Sequence, residues 1–339
     1  MDFHENVLQL DAAAETERLV TWLGRSVREE LHRRGAVLGI SGGVDSAVVL
    51  ALCVRAFGGS RVAALMLPER DSSPESERLA CQLAARFGVD PIREDITAAL
   101  EGLGCYQRRD EAIRRIFPEY APEQGYLAKI VLPPDLLLRD SLNLYSLTII
   151  RPDGSHASAA LPAADYLQIV AASNFKQRAR MAMLYYHAEL RHFAVVGTAN
   201  LNERQQGFFV KHGDAGVDCD PIVHLYKTQV YQLAEYLGVP EEIRRRTPTS
   251  DTYSAPCSQA EFFFRLPFDT MDLLWYAQQH QIPPDQTGRI MGLSASAVER
   301  AYRDLAQKQR TTEPLRQGPL RAPKRGTWSE PDDSVLAQK

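Results

Sequence analysis

The 339-residue sequence predicts an α/β fold, a doubly wound parallel sheet with helices on both faces. Three observations predict it. Short apolar runs alternate with amphipathic stretches of helical period over residues 36–95. A glycine-rich break, Ser41-Gly42-Gly43, joins the first apolar run to the stretch that follows it. The alternation resumes over 175–237, after a segment of different character. Strands alternating with helices form parallel sheets covered on both faces.

The elements follow in order. Residues 11–34 read as a helix, with Leu19, Leu23, Val27 and Leu31 recurring every four residues. Ala36-Val37-Leu38-Gly39-Ile40 is long enough for a buried strand. Asp45 to Phe57 reads as a helix and Arg61 to Leu67 as a second strand. Pro74 to Phe87 suits a helix with proline in its first turn, and Val89 to Ile92 a third strand. Later, Phe175 to Leu190 is helical, Phe193 to Val196 is a strand ending at Gly197-Thr198, and Lys227 to Leu237 is a helix stopped by Gly238-Val239-Pro240. Between the halves, residues 101–165 hold Gly102, Gly104, Pro118, Pro122, Pro133 and Pro134. There Leu144 to Ile150 runs into Pro152-Asp153-Gly154, a hairpin signal. The expected organisation is a main domain over 1–260 with an insertion at about 101–165, a helical extension over 261–310, and a mobile tail over 311–339.

Composition narrows the function classes. With 39 basic and 43 acidic residues the net charge is −4, which lacks the footprint of a general nucleic-acid binder. The five cysteines form no C-x-x-C pair, so a zinc ribbon or iron–sulfur site has no support and reduced thiols in the cytoplasm are expected. The acidic, polar start does not read as a secretory signal, and no run of about 18 apolar residues offers a membrane span.

The segment that carries chemistry is Gly39-Ile40-Ser41-Gly42-Gly43-Val44-Asp45-Ser46, between a strand and a helix. Free backbone N–H groups at a helix start, with glycines that admit an anion closely, make a phosphate site. Ser41 and Ser46 add hydroxyls, and Asp45 beside a phosphate implies an intervening Mg²⁺. Two other readings compete. Gly39-Ile40-Ser41-Gly42-Gly43 fits the G-x-S-x-G nucleophile elbow, with Ser41 as nucleophile, though nothing singles out a base among the eight histidines. An incidental glycine-rich turn is the other.

Ser-Gly-Gly-x-Asp-Ser resembles the pyrophosphate loop of the adenine-nucleotide α-hydrolase superfamily, enzymes that split ATP into AMP and pyrophosphate; Walker A is absent. Further segments resemble the NAD synthetase family within it. They are Asn174-Phe175-Lys176-Gln177-Arg178-Ala179-Arg180-Met181, Gly197-Thr198 through Glu203, Gly207 through Asp218, Leu225-Tyr226-Lys227-Thr228, and Pro248-Thr249-Ser250-Asp251. The resemblance covers about 35–95 and 172–251 in one order.

The resemblance implies an ammonia-dependent amide ligase that adenylates the carboxylate of deamido-NAD with ATP and gives NAD, AMP and pyrophosphate. By position, Ser41, Gly42, Gly43, Asp45 and Ser46 would hold the pyrophosphate end of ATP, with Leu65, Thr198, Lys227 and Thr249 as further ATP contacts. Asp45 and Glu203 would ligate Mg²⁺, and Asp45 and Lys227 would be the catalytic pair. Asn174, Arg178, Lys211 and Asp218 would contact the acid substrate. A homodimer is implied too. Standing alone, Lys211 and Lys227 would be solvated surface lysines and Glu203 an exposed helix acid; their shared order sets them apart.

The chain departs from the family pattern in the length of 101–165 and in the segment after Asp251. The family's C-terminal His-Lys pair has only Pro323-Lys324-Arg325 as a counterpart. A different carboxylate acceptor is therefore the alternative. With Asp2 after Met1, no cysteine nucleophile of the amidotransferase kind stands at the start, so the ammonia source is free ammonia or a separate glutaminase. Two other classes are an RNA-modifying relative, opposed by the absence of paired cysteines and of a basic domain, and DNA binding by a helix–turn–helix-like fragment at 285–306. There Asp285, Glu299 and Asp304 offset Arg289, Arg300 and Arg303, which favours plain helix packing. Neither nucleic acid nor membrane is an expected partner.

Overall fold

The computed structural model describes residues 3–133, 136–138, 144–249 and 252–322. The strands among them are β1 (Ala36–Gly39), β2 (Val62–Met66), β3 (Ile92–Arg93), β4 (Leu127–Val131), β5 (Ser146–Ile150), β6 (His156–Ala160) and β7 (Ala194–Val195). The first helices are α1 (Ala12–Arg25), α2 (Val44–Phe57), α3 (Pro74–Arg86), α4 (Thr97–Gly102), α5 (Cys105–Ile116) and α6 (Ala163–Arg191). They are followed by α7 (Leu201–Gln206), α8 (Lys227–Tyr236), α9 (Glu241–Arg245), α10 (Phe268–Gln279), α11 (Pro284–Met291), α12 (Ala295–Thr311) and α13 (Glu313–Arg316).

β3, β2, β1 and β7 form one parallel sheet in that order, with Val37 opposite Ala63, Leu65 opposite Ile92 and Ala36 opposite Ala194. Side chains alternate across it, as the two-residue period of a strand requires. Ala36, Leu38, Val62 and Ala64 enter the core under α1, α2, α3 and α8. Val37, Ala63, Leu65 and Val195 enter a second core under α4, α5 and α6. Both faces are buried, so the strands read as unbroken apolar runs, and the doubly wound expectation holds.

Three boundaries differ from the sequence reading. The helix expected over 11–34 ends at Arg25 and passes into a wider turn over Ser26–Glu30. The third strand begins at Ile92, because Gly88 turns at φ +66° and the N–H of Val89 caps α3 by bonding the Ala84 carbonyl. The helix expected from Phe175 begins at Ala163 and runs 29 residues. Its first half serves both the main domain and the insertion, which blurs its single-face period.

The insertion is more than a hairpin. β4, β5 and β6 form a three-stranded antiparallel sheet with Leu147 opposite both Ile130 and Ala159. The turn sits where Pro152-Asp153-Gly154 indicated, with Gly154 at φ +81°. Ile130, Leu147 and Ile149 pack with Ile113 of α5, Ile169 of α6 and Tyr253. The extension is helical as expected. Met271, Leu274 and Trp275 pack against Val298 and Leu305. Arg289 pairs with Asp285 at 3.2 Å and Arg300 donates to the Leu137 carbonyl, so the 285–306 fragment engages its own chain. Of the tail, α13 is a helical turn; Pro323-Lys324-Arg325 lies outside the described residues. No helix among the described residues is long and apolar enough to cross a membrane, and all five cysteines are free.

A buried ion cluster fastens the insertion to the main domain. Lys176 of α6 donates to Glu69 Oε1 at 3.0 Å, Asp71 Oδ2 at 2.8 Å and the Thr252 carbonyl at 3.0 Å. Arg109 of α5 pairs with Asp71 and, at 2.8 Å, with Asp110. Burial raises the Asp71 pKa, but Lys176 and Arg109 outweigh it and hold the carboxyl at about 2. Its folded pKa lies below the unfolded value of about 3.9. The stability it contributes is therefore complete above that value and lost as pH falls toward about 2. We expect Lys176→Met to cost about 3–5 kcal/mol, since it leaves buried carboxylates without their cation. Denaturant unfolding at neutral pH checks this, and the deficit relative to wild type should shrink as pH is lowered from 5 toward 2.

Candidate active site

The C-terminal ends of β1, β2 and β7 open into a cavity of about 610 Å³. That is a size suited to small-molecule substrates. The segment after β1 forms its floor. Gly42 turns the chain at φ +71°, and a Cβ there would stand 2.7 Å from the Leu79 Cβ and 2.8 Å from the Ser76 carbonyl. Only glycine fits. Ser46 is turned into the loop: its hydroxyl donates to the Gly43 carbonyl at 3.0 Å and accepts from the Ser41 N–H at 3.4 Å. Gly43 is the N-cap of α2 and no side chain caps that helix, so its first N–H groups stay available for an anion.

Three titratable groups gather above the loop. Asp45, in the first turn of α2, accepts from Asn200 Nδ2 at 3.0 Å and pairs with Lys227 Nζ. Lys227 is the first residue of α8 and is 1% exposed. Glu203 lies in the first turn of α7, where Asn200 and Glu203 form a reciprocal capping box. Enclosure and the neighbouring Asp45 push the Glu203 carboxyl up to about 8. Burial pulls the Lys227 ammonium down, yet Asp45 and Glu203 outweigh it and hold the group above the ordinary lysine value.

The structure brings most of the expected site residues together. Ser41, Gly43, Asp45, Ser46, Leu65, Thr198, Glu203, Lys227 and Thr249 line the cavity, as do Asn174, Arg178 and Lys211. Gly42 lies behind the lining, where it shapes the loop. Asp218 departs from expectation. It does not line the cavity; its carboxylate accepts from the Val195 N–H at 2.8 Å and the Tyr185 hydroxyl at 3.0 Å, anchoring the end of β7. Ser250 and Asp251 lie outside the described residues. Among the described residues no histidine lines the cavity, so Ser41 has no histidine base there, which the nucleophile-elbow reading calls for.

Several contributors have no local sequence signal. Arg246 reaches back from the end of α9 to the carbonyls of Ser41 and Gly42, at 3.4 and 3.5 Å, and to Ser76 Oγ at 2.7 Å. Asp272 of α10 is fully buried and accepts from Asn202 Nδ2 and, at 2.8 Å, from the Thr228 N–H. It thereby fixes α7 and α8, which carry Glu203 and Lys227. Lys176 belongs to the motif at 174–181, yet its ammonium is saturated by Glu69, Asp71 and Thr252, so it holds the frame. Residues at the start of the segment expected as a mobile tail also reach the site: Lys211 Nζ donates to the Pro314 carbonyl at 3.0 Å, and Thr312 and Leu315 line the cavity.

The NAD synthase family profile matches residues 15–114 and 143–312. The chain is 49% identical to an NH₃-dependent NAD⁺ synthetase of Mesorhizobium japonicum over 314 residues, covering 93% of this chain and 98% of the relative. It is 48% identical to an NH₃-dependent NAD⁺ synthetase of Rhizobium meliloti, covering 94% of each. Solved structures share the fold at lower identity. An NH₃-dependent NAD synthetase from Campylobacter jejuni, determined with a nitrate ion, superposes with TM-score 0.60 at 20% identity, covering 93% of this chain and all of that one. An NMN synthetase from Francisella tularensis gives 0.58 at 22%, with the same coverage. The parallel sheet, the pyrophosphate-type loop and the matched segments agree, and the chain belongs to the NAD synthase family.

Proposed function

We propose that the chain is an ammonia-dependent NAD⁺ synthetase: with ATP it adenylates the carboxylate of deamido-NAD, and ammonia displaces AMP to give NAD. The observation that carries this reading is the buried Lys227 ammonium set against Asp45 and beside Glu203, in the wall of a cavity that also holds the glycine loop and Arg178. A carboxylate attacking the α-phosphorus of ATP brings two anions together. The reaction needs preorganised positive charge more than it needs an enzyme nucleophile.

The α2 N–H groups with Ser41 and Gly43 receive the departing pyrophosphate, and Lys227 neutralises charge at the α-phosphoryl group. Leu65, Thr198 and Thr249 bound the rest of ATP, while Asn174, Arg178 and Lys211 orient the acid. Asp45 and Glu203 fit Mg²⁺. Burial first and Asp45 second push the Glu203 carboxyl up to about 8, and a divalent cation held by the two groups would favour their charged forms. Magnesium characteristically takes one or two carboxylates plus substrate phosphates. When bound, the ion supplies charge neutralisation on phosphate oxygens.

The acyl-adenylate formed by attack is a mixed anhydride. Ammonia attacks its carbonyl carbon, AMP leaves with the electron pair of the broken C–O bond, and the amide nitrogen sheds a proton. Enclosure by Thr312 and Leu315 limits the hydrolysis that would waste the adenylate. Ammonia arrives free or from a separate glutaminase, and the enzyme works as a homodimer in the cytoplasm.

Two outcomes are expected. Purified protein with ATP, Mg²⁺, ammonium and deamido-NAD should form NAD and AMP in equal amounts, and Asp45→Ala should abolish both. AMP without NAD would redirect the reading to another carboxylate; neither product would overturn it. In the same assay Lys227→Met should lower kcat by about 10²-fold or more, in line with removing a preorganised transition-state donor. Gly42→Ala should abolish turnover and lower the melting temperature, because its Cβ collides with the Ser76 carbonyl.

A further inference from the structure

One region of the cavity is walled by residues that belong to none of the matched motifs. Tyr145 comes from the insertion, immediately before β5; Tyr166 from the first turn of α6; and Phe262 from the turn Ala260–Phe264 that opens the extension. The Tyr145 and Tyr166 rings stack at 4.8 Å and 18°, and Phe262 lies 6.0 Å from Tyr145. Phe262 in turn lies 5.7 Å from Phe208, which follows α7. The aromatic faces thus form a continuous path from beside the Glu203 helix out to the inserted sheet. All four rings are half-buried and line the cavity.

The place of this wall along α6 identifies its occupant. Tyr166 precedes Asn174 by eight residues and Arg178 by twelve, which puts it about 12 and 18 Å toward the helix N-terminus at 1.5 Å per residue. Arg180 of α6 donates to the Leu67 carbonyl, just past β2, at 3.3 Å, so the strand ends that lead to Asp45 meet the later turns of the helix, and the reacting carboxylate belongs there in the proposed reaction. A dinucleotide acid carries a second base on the far side of its own pyrophosphate. That base is a flat π-surface, and aromatic side chains receive it by stacking without reading its edge.

We infer that the stacked pair Tyr145–Tyr166, with Phe262 beside it, offers an open ring face to the base of the acid substrate remote from its carboxylate, and so sets the preference for a dinucleotide over a mononucleotide acid. The inference rests on the proposed reading that the acid is deamido-NAD. It makes the insertion part of substrate choice. The three-stranded sheet holds Tyr145 against Tyr166, and the ion cluster of Arg109, Asp71 and Lys176 fastens α5 of the insertion to α6, which carries Tyr166.

The test compares two acceptors across variants of the full chain. Tyr166→Leu keeps apolar bulk but loses the ring; Tyr166→Phe keeps the ring; Tyr145→Leu removes the other ring of the stacked pair. For each, kcat/KM is measured with deamido-NAD, KM with ATP, and the affinity for nicotinate mononucleotide as substrate or as competitive inhibitor. Melting temperatures identify any variant that fails to fold. Tyr166→Leu and Tyr145→Leu should raise KM for deamido-NAD at least tenfold, about 1.4 kcal/mol. ATP and mononucleotide affinities should stay within twofold of wild type, and Tyr166→Phe should resemble wild type. An equal loss on both acceptors, a loss on ATP, or no change in any folded variant would overturn the inference. A wild-type enzyme inert toward deamido-NAD would instead overturn the functional reading beneath it.

Discussion

The contact on which the site depends is the pairing of Lys227 with Asp45, with the Glu203 carboxyl beside it. Burying an ammonium costs several kcal/mol unless good partners replace its water. Here the partners come from elements far apart in sequence: α2 supplies Asp45, α7 supplies Glu203, and α8 supplies Lys227 at its first position. Asn200 joins the group by donating to Asp45 while capping α7. The N-termini of α2 and α8 therefore meet at one end of the parallel sheet. Their dipoles add positive potential on that side of the cavity, the side to which the proposed reaction assigns the phosphates.

The surrounding architecture keeps that meeting point in place. The sheet aims α2 from the C-terminal end of β1, as open parallel sheets do with their ligand sites. The extension fixes α7 and α8 through one buried carboxylate, Asp272, and packs around Trp275. The insertion is held through α6 by a second set of buried charges. The chain thus uses buried ions twice for different ends. Around Asp45 they face the cavity; around Lys176 they are met by their own partners and hold structure.

Much of this was legible in the sequence because its signals are local. Apolar runs marked β1 and β2, and the Gly42 break with the Asp45-Ser46 start of a helix marked the loop that floors the cavity. The ordered segments from Asn174 to Thr249 brought Arg178, Glu203, Lys211 and Lys227 to the same cavity. The rest was hidden because it depends on tertiary contact. Nothing local distinguishes Asp272 from a surface helix acid, or Arg246 from its neighbours Arg244 and Arg245. Asp218 shows what the motif did not reveal, since its carboxylate anchors a strand end. The missed first half of α6 has the same origin: its side chains answer to the insertion as well as to the sheet.

The central claim is that the Asp45–Lys227–Glu203 group receives the α-phosphoryl end of ATP. A crystal structure with Mg²⁺ and a non-hydrolysable ATP analogue tests it most directly. The account predicts a metal ion contacting both Asp45 and Glu203, terminal phosphates on the N–H groups after Gly42, and Lys227 Nζ turned toward the α-phosphate. A nucleotide bound elsewhere in the cavity, with the Lys227–Asp45 pair undisturbed and no metal between the carboxylates, would contradict it.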